Sequence, residues 1–399
     1  MSAHQGEMPG SLAPKVGIVH AFSGHYRSVH VISRFLHHAG VRLVQSRVTT
    51  PEILAAGTTF ASQDFCIPLR AYVGHVYHLV KEHRDLECIV APNVLSEDAS
   101  SSTCSKYRDV GGVSIRSLGT TVGYTLKFAA PRWRERMSRL AGRAEVERLL
   151  GQASNLPRII QPNVRLLEPV HMRNVCFDTY ADIFRLPRWV RGEFFIPGAL
   201  RRWLAPRLSR VEQAFDRAWA EVMAPRHARL NALLRDESRV RLAIVGRSYL
   251  VHDPALTCDL RTFFQKAGAA VLTAEDVPFE LLRERYLRVK GFYDTHRLGE
   301  AFIDWATTVV DGFVIVGSFG CHPDAFMVDY LADVVRERGL PCWTFKYDEQ
   351  AGSAGFRTRY ETILGFLQER RDQRVARRPQ IGATSAEPTG TFNDAGTEG

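Results

Sequence analysis

The sequence predicts an α/β protein with two Rossmann-like parallel-sheet domains and a helical middle segment. Three observations carry this. Residues 15–20 and 41–44 read as short buried strands on either side of an amphipathic stretch at 28–38, a strand–helix–strand unit of about 30 residues. The same opening returns at 240–246 (Val-Arg-Leu-Ala-Ile-Val-Gly). Between the two, residues 125–238 hold few strand-like runs and many Arg, Leu and Ala.

Each element follows in order. Apolar Val29, Val31, Ile32, Phe35 and Leu36 give the first helix one buried face, and Gly40 stands where a helix-ending glycine belongs. Thr50-Pro51-Glu52 opens a second helix, with proline in its first turn. Leu69, Tyr72, Val73, Val76, Leu79 and Val80 line one face of a third, at 69–83. A strand at 86–91 follows, then a polar loop at 96–105. The middle is read as helices at 132–150 and 211–235. The second half is read as a strand at 240–246, a helix at 259–268 and a strand at 270–273. Strands at 311–317 and 341–345 flank a helix at 324–338, and a last helix spans 360–373. The expected organisation is a flexible leader at 1–14, a first α/β domain at 15–124, a helical linking layer at 125–238, a second α/β domain at 239–375 and a disordered tail at 376–399.

The chain has 399 residues, 45% of them hydrophobic, enough for folded domains and against wholesale disorder. No run approaches the roughly 20 apolar residues of a membrane span, and no apolar signal-peptide centre follows Met1, so a cytoplasmic protein is expected. Its charge of +9 is concentrated in the Arg-dense middle, as at Arg201-Arg202 and Arg207. No nucleic-acid-binding motif accompanies that charge, so solvated helix faces are the expected reading and nucleic acid is not an expected partner.

Three of the seven cysteines stand out. Cys66, in Asp64-Phe-Cys-Ile-Pro68, directly precedes a helix. Cys321 lies between a buried strand and the helix begun by Pro323. Cys104 sits in the polar loop after the strand that ends at Ala91. In an open parallel sheet such loops gather at the carboxyl edge, where ligands bind, and helix N-termini there favour thiolates. Cys88, Cys176, Cys258 and Cys342 read as buried structural thiols.

The stretches around the three cysteines resemble the 2-hydroxyacyl-CoA dehydratase superfamily, in its acyl-CoA dehydratase activase-related branch. The stretches are Phe65-Cys66-Ile-Pro68 with Gly74-His75, residues 88–106, residues 246–254, and Asp311-Gly-Phe-Val-Ile-Val-Gly-Ser-Phe-Gly-Cys-His-Pro-Asp324. Asp348-Glu349 and Gly352-Ser-Ala-Gly355 follow. The resemblance covers both α/β halves and matches poorly in the middle. Departures are Ser105 and Lys106 where the family often has proline, His322 where a small residue is usual, Gln350 for histidine and Ser353 for glutamate.

The resemblance implies Rossmann-like domains enclosing a [4Fe-4S] cluster in the interdomain cleft, a double-cubane cluster being the variant. Cys66, Cys104 and Cys321 are the implied ligands, serving low-potential electron transfer or reductive, dehydratase-type chemistry. Three thiolates leave one iron to water, Ser318, Ser105 or Asp98. The resemblance also implies an ATP-dependent activator or reductase as partner; this chain shows no Walker-type loop of its own. An acyl-CoA-type ligand, and a homodimer or heterodimer, are also expected.

Two other readings use the same residues. Three cysteines with His322 or His75 could make a tetrahedral Cys3His zinc site. A non-redox, small-ligand α/β module would use Gly17, Gly24 and Gly246, which form no Gly-x-Gly-x-x-Gly and are expected to serve tight turns. His20, His25, His37 and His38 are expected on exposed helix surface, with Phe313, Phe319 and Phe326 in the core. His75 is expected to pack or to reach a cluster sulfide, and Asp324 to complement its helix dipole.

Overall fold

The structure, a computed structural model, describes residues 13–19, 27–95, 102–119, 156–164, 169–186, 198–348 and 353–376. The leader to residue 12, the helix expected at 132–150 and the tail from 377 lie outside the described residues.

Two all-parallel four-stranded sheets form the framework. The first is built from β1 (Lys15–Ile18), α1 (Arg27–His38), β2 (Arg42–Gln45), α2 (Pro51–Phe60), α3 (Ile67–Glu82), β3 (Cys88–Val90) and α4 (Val110–Gly119). Its fourth strand, β5 (Arg158–Ile160), comes from the middle segment, giving the order β2-β1-β3-β5. The middle thus supplies a sheet strand as well as helices. Short β4 (Asn93–Val94) and β6 (Asn163–Val164) pair in parallel just beyond β3 and β5.

α1 buries the five apolar residues expected of it, and the left-handed Gly40 (φ +80°) closes it, with Val41 N–H returning to Leu36 O at 3.0 Å. Thr50 caps α2 through a bond from Ile53 N. α2 and α3 cross with backbones in contact. A Cβ on Gly57 would lie 2.0 Å from Arg70 O, and one on Gly74 2.0 Å from Ile53 O.

The remaining middle helices are α5 (Pro169–Ile183), α6 (Gly198–Met223) and α7 (Pro225–Arg235). Pro225 breaks what the sequence reads as one helix at 211–235. Cys176 is fully buried within α5, as expected of a structural thiol.

The second half runs β7 (Arg241–Val245), α8 (Ser248–Val251), α9 (Leu260–Lys266), β8 (Ala270–Leu272), α10 (Phe279–Arg288), α11 (Asp294–Ala306), β9 (Gly312–Ser318), α12 (His322–Glu337), β10 (Cys342–Tyr347) and α13 (Ser353–Ala376). Its order, β10-β9-β7-β8, repeats that of the first sheet in chain sense. In each sheet the strand order reverses beside the first strand, at β1/β3 and at β7/β9. Such switch points open a crevice at the carboxyl edge.

The largest apolar cluster runs through both halves, from Ile18, Leu69 and Tyr72 to Leu250, Val316 and Tyr360. Polar ties cross with it. Arg27 Nη2 donates to Ala274 O (2.7 Å) and Val277 O (2.9 Å). Thr49 Oγ1 donates to Asp253, and Ser102 bridges Tyr293 backbone to backbone. Phe313 is buried as expected, but Phe319 and Phe326 are 69% and 70% exposed. Phe319 lies beyond the end of β9, in the turn at left-handed Gly320, and Phe326 lies on α12 stacked on Tyr330. Among the described residues no helix is long and apolar enough to cross a membrane.

Candidate functional site

Cys66 and Cys321 are the N-cap residues of α3 and α12, each followed by a proline in the helix's first turn. Proline tolerates that position because its missing N–H would have no intrahelical partner. Both caps have extended backbone, which turns the chain from a loop into the helix. Each helix enters from the carboxyl edge of its own sheet, so two positive helix ends from different halves meet. The two side chains are 7% and 6% exposed and share one apolar cluster. Hydrogen bonding by the Cys321 thiol pulls the Cys66 pKa down against burial, helped by the Leu69 N–H and the charge of Arg247. The same interaction and burial push the Cys321 pKa up. The pair therefore holds one thiolate more readily than two.

Arg247 and Asp324 stand behind the sulfurs. Arg247 follows β7 and Asp324 lies in the first turn of α12, so both sit at the β7/β9 switch point. Arg247 Nε donates to Asp324 Oδ1 at 2.6 Å, with both side chains 4% exposed. Asp324 Oδ2 also accepts the Ser318 N–H at 3.1 Å, so the carboxylate is far more than a helix-dipole charge. Arg247 Nη1 reaches Thr295 Oγ1 at 3.4 Å, while its buried Nη2 has no hydrogen-bond partner. Gly246 is needed for closeness rather than for a tight turn. A Cβ there would lie 2.4 Å from Val316 Cγ2 and 2.8 Å from Val316 O on the adjoining strand.

Cys104 is half-buried and caps a 3-10 turn, Ser105–Tyr107. Two contacts dock that turn on the site. Lys106 Nζ donates to Asp64 O at 2.6 Å, two residues before Cys66, and lies 5.5 Å from the Phe65 ring centroid. The Tyr107 ring stacks on Tyr249 at 4.6 Å and 15°. Tyr249 is buried in the field of Arg247, Asp324, Cys66 and Cys321, and burial pushes its pKa well up. The structure thus places Cys66 and Cys321 in one apolar cluster, each influencing the other's pKa, and docks the Cys104 turn beside them. Among the described residues, no group of three or more His, Cys, Asp or Glu side chains is placed to hold a metal ion.

The donor chemistry fits a thiophilic, negatively charged group. Two sulfurs face each other at helix N-termini, beside a buried guanidinium with an unused donor. Cys104, the third expected residue, is held nearby through the Lys106 and Tyr107 contacts.

Other expected residues are placed as follows. His75 is fully buried and pairs through Nε2 with Thr49 Oγ1 at 3.0 Å. His38 pairs with Glu221 at 2.9 Å. Ser318 is buried next to the site, and Ser105 is exposed. His20, Gly24, His25, Asp98, Glu349, Gln350 and Gly352 lie outside the described residues. Of the four cysteines expected to be buried, Cys88 and Cys176 are, while Cys258 and Cys342 are half-buried; burial raises the Cys88 pKa to about 11 and the Cys342 pKa to about 12. Sequence reasoning missed Arg247, Tyr249 and Tyr107, although the first two lie inside the 246–254 stretch. A cavity of about 30 Å³ lies beside Arg247, walled by Gly246, Ser248, Thr295 and Thr103. It has room for little more than a water.

Residues 15–122 match a family described as a CoA enzyme activase uncharacterised domain. The match includes Cys66 and Cys104 and stops before Cys321. It agrees with the resemblance read from the sequence at the level of an activase-related domain. A comparison with curated proteins finds no match.

Proposed function

We propose that the chain is an iron–sulfur protein of the activase-related branch of the 2-hydroxyacyl-CoA dehydratase superfamily, with Cys66, Cys104 and Cys321 holding a [4Fe-4S] cluster. The observation that carries the reading is the meeting of Cys66 and Cys321, from two helix N-termini in separate α/β halves. The activase-type domain at 15–122 supports it independently.

A bound cluster of this kind supplies one-electron chemistry at low potential. The chain's own residues have definable parts. The helix ends and Arg247 offset the negative charge of the thiolates. Asp324 fixes the guanidinium from behind, and the unused Nη2–H is available to a sulfur. The Tyr107–Tyr249 stack and the apolar cluster around the cysteines keep water from the sulfurs. An ATP-driven activator is the electron source, and an acyl-CoA-type molecule the ligand class.

The test is purification without oxygen, reconstitution with iron and sulfide, and measurement of both with the visible spectrum. About four iron and four sulfide per chain with a broad visible absorbance are expected. About twice that points to the double-cubane variant. A colourless protein that takes up zinc but no iron or sulfide overturns the reading.

A further inference from the structure

Cys104 is carried by a strap, residues 102–107, that is tied at both ends. Ser102 pairs with the second half backbone to backbone: its N–H reaches Phe292 O at 3.0 Å, and its O accepts the Asp294 N–H at 3.1 Å. At the other end Tyr107, 7% exposed, stacks on Tyr249. Between these ends Lys106 reaches across to the chain that leads into Cys66. Its ammonium donates to Asp64 O at 2.6 Å and to Asp64 Oδ2 at 3.3 Å, and lies 5.5 Å from the Phe65 ring centroid. The segment it grips is itself fixed. Phe65 N–H returns to Ser62 O at 3.1 Å, and Arg70 of α3 donates to Gln63 O at 2.7 Å. Cys66 follows directly as the α3 cap. One side chain thus joins two loops 42 residues apart where each delivers a cysteine. We propose that Lys106 is a positioning residue of the site, a clasp that sets Cys104 against Cys66 so that one metal centre can take both sulfurs.

The three contacts are unequal. A short bond from an ammonium to an amide carbonyl is charge-assisted. The carboxylate contact is longer, and water screens it, because the two side chains are 37% and 69% exposed. The ring adds a cation–π attraction that an arginine would keep. Because the main acceptor is a backbone oxygen, no substitution of Asp64 removes it. Lys106→Met therefore opens the clasp, Lys106→Arg keeps it, and Asp64→Ala keeps most of it. The clasp stands on these contacts alone, and only its role toward a metal centre rests on the cluster reading.

The test uses the full chain, reduced and metal-free, alkylated with iodoacetamide over time and followed by peptide mapping. Cys104 is half-buried, so its reactivity reports how well the strap is seated. In Lys106→Met, Cys104 is expected to react about tenfold faster than in the wild type, the change in local opening that loss of one charge-assisted bond brings. Cys88 and Cys342 are expected to keep their rates, and the thermal midpoint its wild-type value. Lys106→Arg is expected to restore the wild-type rate, and Asp64→Ala to stay within about twofold of it. Iron and sulfide are measured on the same preparations after anaerobic reconstitution. Most of the iron is expected to be lost in Lys106→Met and regained in Lys106→Arg. Unchanged Cys104 reactivity in Lys106→Met, equal acceleration at all thiols, or iron uptake equal to the wild type overturns the proposal. A wild type that takes up no iron or sulfide, with Cys104 freed in Lys106→Met, removes the cluster reading and leaves the clasp. Uptake by the wild type with Cys104 unchanged in Lys106→Met does the reverse.

Discussion

Replacing Asp324 by asparagine keeps the shape of the side chain and removes its charge. In the folded protein this leaves the Arg247 guanidinium 4% exposed without a counter-charge: the amide oxygen can still accept from Nε, but the amide nitrogen then faces the Ser318 N–H. Removing one partner of a buried ion pair costs about 3–5 kcal/mol, because the other charge stays desolvated. The charge is lost from a short contact, at 2.6 Å, and no water-exposed face of Arg247 can compensate. A loss in the upper part of that range is therefore expected. Replacing both partners, as Arg247→Met with Asp324→Leu, removes the stranded charge and is expected to cost less than Asp324→Asn alone. Urea unfolding followed by circular dichroism and by tryptophan fluorescence measures both variants against the wild type. A loss below about 1 kcal/mol for Asp324→Asn, or a double variant worse than the sum of the singles, would refute a dry, mutually dependent pair.

Three further outcomes follow from packing and protonation. Gly57→Ala and Gly74→Ala each push a methyl to 2.0 Å from a backbone carbonyl oxygen of the facing helix. Each is expected to lose about 1–3 kcal/mol or more in thermal unfolding, whereas a wild-type melting temperature would contradict the close crossing. Tyr347 and Tyr360 hydroxyls bond at 2.7 Å, and Tyr360 donates on to Thr257 O at 2.8 Å. Tyr360→Phe strands the Tyr347 hydroxyl and takes one of two bonds from Thr257 O, which keeps the Leu260 N–H at 3.1 Å, and should cost about 2 kcal/mol, against about 1 kcal/mol for Tyr347→Phe. Equal losses in urea unfolding would break the relay. Burial pushes Glu275 up, but the hydrogen bond and charge of His252, with Ser248 and Arg27, bring it down from 4.5 to about 2. A carboxyl lowered in the folded state stabilises above its unfolded value, and that stability is lost as pH falls from 4.5 towards 2. The full effect is about 3 kcal/mol. Glu275→Gln should flatten the acid side of the stability profile in that window, and an unchanged slope would contradict the assignment.

Much of the fold is legible because local signals agree with it. Thr50-Pro51, Ile67-Pro68 and His322-Pro323 mark helix starts that the structure bears out, and the apolar runs at 240–246 and 311–317 become the two central strands of the second sheet. The short strand β5 escapes notice because three residues, Arg158–Ile160, carry no period of their own and pair only through β3. α4 is equally quiet. Gly111-Gly112 lowers its helix propensity, yet a Cβ at Gly111 would lie 2.3 Å from the Ala91 Cβ. The three cysteines could be singled out by their places before helices and after a strand. Their relation could not. Arg247 meets Asp324 across 77 residues, and Lys106 meets Asp64 across 42. Such pairings are made where loops distant in sequence converge at the carboxyl edge of one sheet, which no local window contains. Phe319 and Phe326 show the converse error, since an aromatic residue beside a buried strand need not share its burial.

The central claim is that Cys66, Cys104 and Cys321 act together as ligands while the other cysteines do not. The direct measurement is iron and acid-labile sulfide per chain after anaerobic reconstitution of Cys66→Ser, Cys104→Ser and Cys321→Ser, beside Cys88→Ser and Cys342→Ser. Wild-type content is expected in the last two, and a loss of most iron and visible absorbance in each of the first three. Full iron and sulfide in Cys66→Ser or Cys321→Ser, or equal losses in all five, would contradict it.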